Sequence, residues 1–143
     1  MQSIQLQGDV TLLHRFKQLP AKMQKKHCRR GVAKAARRLV KAAKTRAPVD
    51  SGQLKRSLGY RPKTYKQNVL AIVGPRKGFR AVDGKGKAHD PAKIAHLVEM
   101  GHAGPHPARA KPFLRPAFDE LSPTMIAMIA AEMRAGLEQE ARG

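Results

Sequence analysis

The chain has no tryptophan, a single cysteine, an aromatic share of only 4% and just 10 acidic residues. With so few bulky rings, the interior has to be assembled from Leu, Ile, Val, Ala and Met, which suits thin layers of helix and sheet. Cys28 is the one cysteine, so an internal disulfide is excluded, and the chain is compatible with a reducing cytosol. No apolar run approaches the length of a membrane span, so no membrane contact is expected. The first eight residues lack a signal-peptide pattern, so the expected product is soluble and made in the cytoplasm.

Base is what the sequence holds in excess. Lys and Arg number 29, giving a formal charge of +19. Such a balance destabilises an isolated compact monomer through self-repulsion and favours polyanionic or acidic partners. The acids are unevenly placed: Asp119, Glu120, Glu132, Glu138 and Glu140 all follow Ala117, where only Arg134 and Arg142 are basic. The two ends therefore attract each other, and in a ring that attraction acts between neighbouring subunits.

At 143 residues the length fits a single domain. Alternation around Ile4 and Leu6 predicts a short strand over residues 3–7, followed by an Asp9-capped helix reaching Phe16. A long helix is expected over 21–47, with Cys28, Val32, Ala35, Leu39, Ala42 and Ala43 on its apolar stripe. Arg30, Lys34, Arg37, Arg38, Lys41 and Lys44 fall on the opposite face. Gly31 is a fault in that helix of roughly 1 kcal/mol against Ala.

After a turn at Asp50-Ser51-Gly52, residues 58–65 and 68–73 read as a strand hairpin. Residues 76–90 carry Arg76, Lys77, Arg80, Lys85 and Lys87 among glycines, with few apolar anchors, and are expected to form a mobile basic loop. Pro91 to Met100 reads as a helix with proline at its start and Gly101 past its end. A polar connection follows. Leu114, Phe118, Leu121, Met125, Ile129 and Met133 mark a C-terminal helix, in which Ser122-Pro123 is expected to restart or kink the chain. The expected class is α+β: a long N-terminal helix and a C-terminal helix packed on a small, mainly antiparallel sheet.

Candidate chemistry is sparse. His96, His102 and His106 are close in sequence, but two of them flank Gly104 and Pro105, and no cysteine or acidic pair completes a ligand set. Asp50-Ser51-Gly52 is what a tight turn requires and lacks a nucleophile elbow. The Gly-Lys run near Lys85 has the wrong spacing for a phosphate loop. Glu99 has no second carboxylate at a useful spacing. No enzyme, metal or cofactor is therefore expected. The basic helix face is the stronger candidate, since each Lys or Arg that meets a phosphate releases counterions. Tyr60, Tyr65 and Phe79 offer only scattered stacking surface.

Three segments, in this order, carry a family resemblance: Ala47-Pro48-Val49-Asp50-Ser51-Gly52-Gln53-Leu54-Lys55-Arg56-Ser57-Leu58; then Val73-Gly74-Pro75; then residues 94–101 followed by Ala110-Lys111-Pro112-Phe113-Leu114-Arg115-Pro116-Ala117-Phe118. The pattern resembles the neck or tail-component family of lambdoid and related long-tailed phages. Its members share an Ala-Pro-Val-Asp-Thr-Gly-x-Leu turn after a long helix, a Gly-Pro after a strand, an Ala-x-x-Val-Glu-x-Gly-Thr stretch, and Pro-Phe-Leu-Arg-Pro-Ala entering the last helix. Ser51 stands for the usual Thr of the turn, and His102 for the Thr of the third stretch.

The resemblance covers residues 24–121. It implies a virion subunit, made in the host cytoplasm, that joins or completes the tail as a sixfold homo-oligomeric ring beside connector and tail-tube proteins. A closed ring needs a heterologous interface, which the basic N-terminal half and Glu132, Glu138 and Glu140 would supply. The basic face or loop would then border the channel crossed by genomic DNA. The motif residues Pro48, Asp50, Gly52, Leu54, Gly74, Pro75, Glu99, Gly101, Pro112, Phe113, Leu114 and Pro116 serve the fold. Phe113, Leu114 and Phe118 are expected to pack beneath the sheet. The alternative is a small basic nucleic-acid-binding protein of histone-like or ribosomal type, which leaves the Pro-Phe-Leu-Arg-Pro-Ala segment unexplained. A metal-dependent hydrolase would rest on the histidines alone.

Overall fold

Alanine recurs through the long basic segment, and with leucine it forms an apolar stripe at helical spacing. In the computed structural model this segment is one unbroken helix, α2 (Ala21–Arg46). The structure describes residues 10–48, 52–66, 68–77, 81–82 and 88–142. The strand expected at 3–7 and its Asp9 cap lie outside the described residues. α2 is preceded by α1 (Val10–Lys17) and followed by α3 (Gln53–Ser57), β1 (Leu58–Tyr65), β2 (Asn68–Pro75), β3 (Ala81–Val82), β4 (Ala88–His89), α4 (Pro91–Met100) and α5 (Leu114–Arg142). The class is α+β, with long helices in the N-terminal and C-terminal regions and a two-stranded antiparallel sheet of β1 and β2.

The chain divides into two compact units, one of Met1–Arg38, Arg61–Ile72 and Leu121–Gly143, the other of Leu39–Tyr60 and Val73–Glu120. In the first unit Leu12, Phe16 and Met133 form a buried cluster, against which Cys28, Ile129, Ala130 and Leu137 pack. The Gln24 amide donates to the Lys17 and Leu19 carbonyls at 3.0 and 2.6 Å, tying the end of α1 to the start of α2. Gly31 is not a fault here. A Cβ on it would stand 3.1 Å from the Ile129 Cα, so glycine is what allows α2 and α5 to approach this closely.

The buried line of α2 is rotated from the expected stripe. His27, Gly31, Ala35, Leu39 and Ala43 are buried, whereas Cys28, Val32 and Ala42 are only half-buried. His27, 1% exposed, lies over Gly136, where an added Cβ would come within 2.4 Å of the imidazole Cγ.

In the second unit Ala43, Ala47, Leu58, Ala95 and Phe113 form the core, with Leu54, Val98 and Leu114 packed against it. Phe113 is fully buried, contributing on the order of 2 kcal/mol, and Leu58 brings the start of β1 into the same core. α3 did not show in the sequence pattern. Gly52, at φ 73°, opens it, and the Gly52 carbonyl accepts from the Arg56 amide at 3.0 Å. Within the expected loop at 76–90, β3 and β4 pair antiparallel, Ala81 with His89 and Val82 with Ala88.

Pro123 does not restart the last helix, as the sequence suggested. α5 runs through it. Pro123 and Asp119, whose carbonyl loses its usual amide donor, are both exposed.

Candidate functional site

Two of the segments that carry the family resemblance, 94–101 and 110–118, meet in the second unit around one carboxylate. The Phe113 and Leu114 amides donate to Glu99 Oε2 at 2.8 and 3.2 Å, and the Arg115 amide donates to Oε1 at 3.0 Å. The next position is Pro116, which has no amide proton. A helix leaves its first four amide positions without an intrahelical acceptor. At α5 three of them are taken by Glu99 and the fourth is proline. The negative charge also lies at the positive end of the helix dipole.

The hook is closed by backbone. Lys111 N–H donates to the Val98 carbonyl at 2.8 Å, and the His102 and Ala108 N–H groups each donate to the other's carbonyl at 3.0 Å. Gly101, at φ 73°, lies beneath this crossing, and a Cβ there would stand 2.7 Å from the Ala110 nitrogen. α4 itself starts on an Asp90 cap, with Ala92 N–H donating to Oδ1 at 3.0 Å.

Pro48, Leu54, Gly74, Pro75 and Pro116 are half-buried, and Pro112 is exposed at the entry to α5. Asp50 lies outside the described residues. Pro48, Gly52, Leu54, Ile94, Leu97 and Val98 line a shallow apolar pocket whose rim carries His102, Arg109 and Lys111. It brings together no nucleophile and no carboxylate.

Of the residues expected at a DNA or subunit contact, Arg30, Lys34, Arg37, Arg38 and Lys41 stand exposed on α2, with Lys44 half-buried. α2 carries six lysines and five arginines, eleven bases in all, and no acid. In the first unit a groove runs along this face, lined by Lys22, Met23, Lys25, Lys26, Arg29, Arg30, Ala33, Lys34, Arg37 and Glu132. Arg29 donates to Thr64 Oγ1 at 2.7 Å, joining β1 to the edge of the face.

Arg76 is placed differently. Its backbone N–H donates to the Ser57 carbonyl at 2.8 Å and its guanidinium donates to the Arg56 carbonyl at 3.0 Å, so it closes the end of α3. Lys77 is exposed. Arg80, Lys85 and Lys87 lie outside the described residues.

The C-terminal acids are partly used within the chain. Glu132 pairs with Lys34, and the Nε2–H of His27 donates to Glu140 Oε1 at 3.1 Å. A carboxylate only accepts, which selects the Nε2-protonated tautomer. Glu138 is exposed. Neither the burial of His27 nor the capping by Glu99 is visible in the sequence; the i to i+4 spacing of His27 and Gly31 was the available signal for the first.

Among the described residues, no group of three or more His, Cys, Asp and Glu side chains is gathered to hold a metal ion. His96, His102 and His106 are all exposed. No helix among the described residues is long and apolar enough to cross a membrane. Fold and surface together define a scaffold whose most concentrated chemistry is a basic helix face.

Comparison with known proteins supplies the class. Residues 11–101 match the family model of the bacteriophage HK97-gp10-like tail components, well over half of the chain, and the chain belongs to that family of structural tail components. The matched residues end at Gly101, so the Pro-Phe-Leu-Arg-Pro-Ala segment lies beyond them. No match was found among curated proteins or among solved structures.

Proposed function

We propose that the chain is a virion subunit that closes into a sixfold ring at the head-tail joint or tail end. There it joins or completes the tail by shape and contact, between neck, connector and tail-tube proteins. The observation that carries this is the family match over residues 11–101. It takes in the α4 side of the Glu99 and Gly101 hook, a device that stiffens a scaffold and places no reactive group.

Between neighbours, the exposed Glu138 on α5 meets the basic N-terminal half of the next subunit. An exposed ion pair is worth about 0–1 kcal/mol, so this contact sets register and encounter rate more than strength. Electron microscopy of the purified protein, with light scattering for mass, tests the proposal. Rings of about six copies in the absence of DNA are expected. A monomer that stays monomeric when mixed with its connector and tail-tube neighbours would overturn it and favour the histone-like alternative.

A further inference from the structure

The basic face of α2 is chemically unlike a protein-docking surface. Protein interfaces gain their strength from buried apolar and aromatic anchors at the centre of the patch. The groove here offers Met23 and Ala33 as its only apolar lining, both half-buried. Its one acid, Glu132, is already paired with Lys34. What remains exposed along it is a run of cations: Lys22, Lys26, Arg30 and Arg37.

Steps of four residues along a helix advance about 6 Å, so Lys22, Lys26 and Arg30 form one row, and the run from Lys22 to Arg37 spans ~22 Å. A row of evenly spaced cations fits a row of evenly spaced phosphates. α2 carries no aromatic side chain on which an unpaired base would stack, which disfavours single strands.

We infer that this face is a sequence-independent track for the backbone of duplex DNA. The inference rests on the tail-component reading for the source of that DNA, the genome crossing the tail channel, but the contact itself needs one subunit only. Binding comes from counterion release and carries no base readout.

The test is fluorescence anisotropy of the full chain with a labelled random-sequence duplex, between about 50 and about 200 mM salt. The combined variant Lys26→Gln, Arg30→Gln and Arg37→Gln removes three exposed charges. A control of equal charge, Lys93→Gln, Arg109→Gln and Lys111→Gln, alters the other unit. The first variant is expected to flatten the slope of log affinity against log salt by about 2.7, at ~0.9 per contact, and to weaken binding about a hundredfold at ~0.1 M salt. The control is expected to change affinity less than about threefold.

Equal losses in the two variants would overturn the track, leaving bulk charge as the cause. Equally tight binding of polyglutamate would overturn it in favour of an acidic protein partner. Unaltered thermal melts establish that the variants are folded; should the combined variant melt early, Arg37→Gln alone is expected to lower the slope by ~0.9, and an unchanged slope overturns the inference. Rings that ignore DNA would sink this inference alone, whereas DNA-binding monomers would sink the ring alone.

Discussion

Glu99 on α4 and Phe113 just before α5 are 14 residues apart, and the Phe113 amide donates to Glu99 Oε2 at 2.8 Å. The same carboxylate takes the Leu114 and Arg115 amides. One side chain on α4 thereby starts α5, and the fully buried Phe113 ring is fixed at the junction. Removing that carboxylate is expected to be costly. Glu99→Ala should lower unfolding free energy by about 2 kcal/mol, from a lost cap and stranded amides. Glu99→Gln keeps one acceptor oxygen and should lose less. Urea unfolding measures both, and equal stabilities of all three proteins would contradict the cap.

Gly101 and Gly52 share a φ of 73° but differ in surroundings. Nothing lies within 4 Å of a Cβ added to Gly52, whereas one added to Gly101 meets the 108–110 backbone. Gly52→Ala should therefore cost only the backbone strain, about 1 kcal/mol, and Gly101→Ala at least about 2 kcal/mol. Denaturant midpoints of the two variants give the order; a reversed order would refute it.

Alanine for glycine inside a helix normally gains up to about 1 kcal/mol. Gly136→Ala should instead destabilise, because its Cβ would press on the His27 ring. In the double variant with His27→Ala that clash disappears. A double-mutant cycle should give a coupling of at least about 1 kcal/mol. Additive effects would mean that the ring and Gly136 do not touch.

Burial pushes the Cys28 thiol above the pKa of an exposed cysteine. Near neutral pH it should carry less thiolate than a free thiol and react slowly with iodoacetamide, the rate rising with pH and on unfolding. The sign for stability follows. The folded state holds the proton more tightly, so this contribution is complete below the unfolded pKa and is lost as pH climbs through the folded value. Alkylation as fast as in the unfolded chain would contradict the burial.

Much of this fold was readable because its elements are long or sharply punctuated. α2, the β1 and β2 hairpin, and α4 between Pro91 and Gly101 emerge within a residue or two of their expected limits. α3 is only five residues long, too short for periodicity to register. Gly31 looked like a defect because helix propensity is a local quantity, whereas its value lies in the approach of Ile129 from nearly a hundred residues later. Pro123 looked like a break because the sequence does not reveal that it falls at an exposed position of α5. For the candidate site, the basic face of α2 was legible as charge periodicity. The pairing of Lys34 with Glu132, of His27 with Glu140, and the use of Arg76 on the α3 carbonyls depend on tertiary packing.

The central claim is that this chain is a structural part of the virion tail. Mass spectrometry of purified particles from the genome that encodes it, after separation of heads from tails, tests this most directly. The protein should be present in the particle at a few copies and travel with the tail or its joint. Abundance in the lysate with absence from the particles would contradict it.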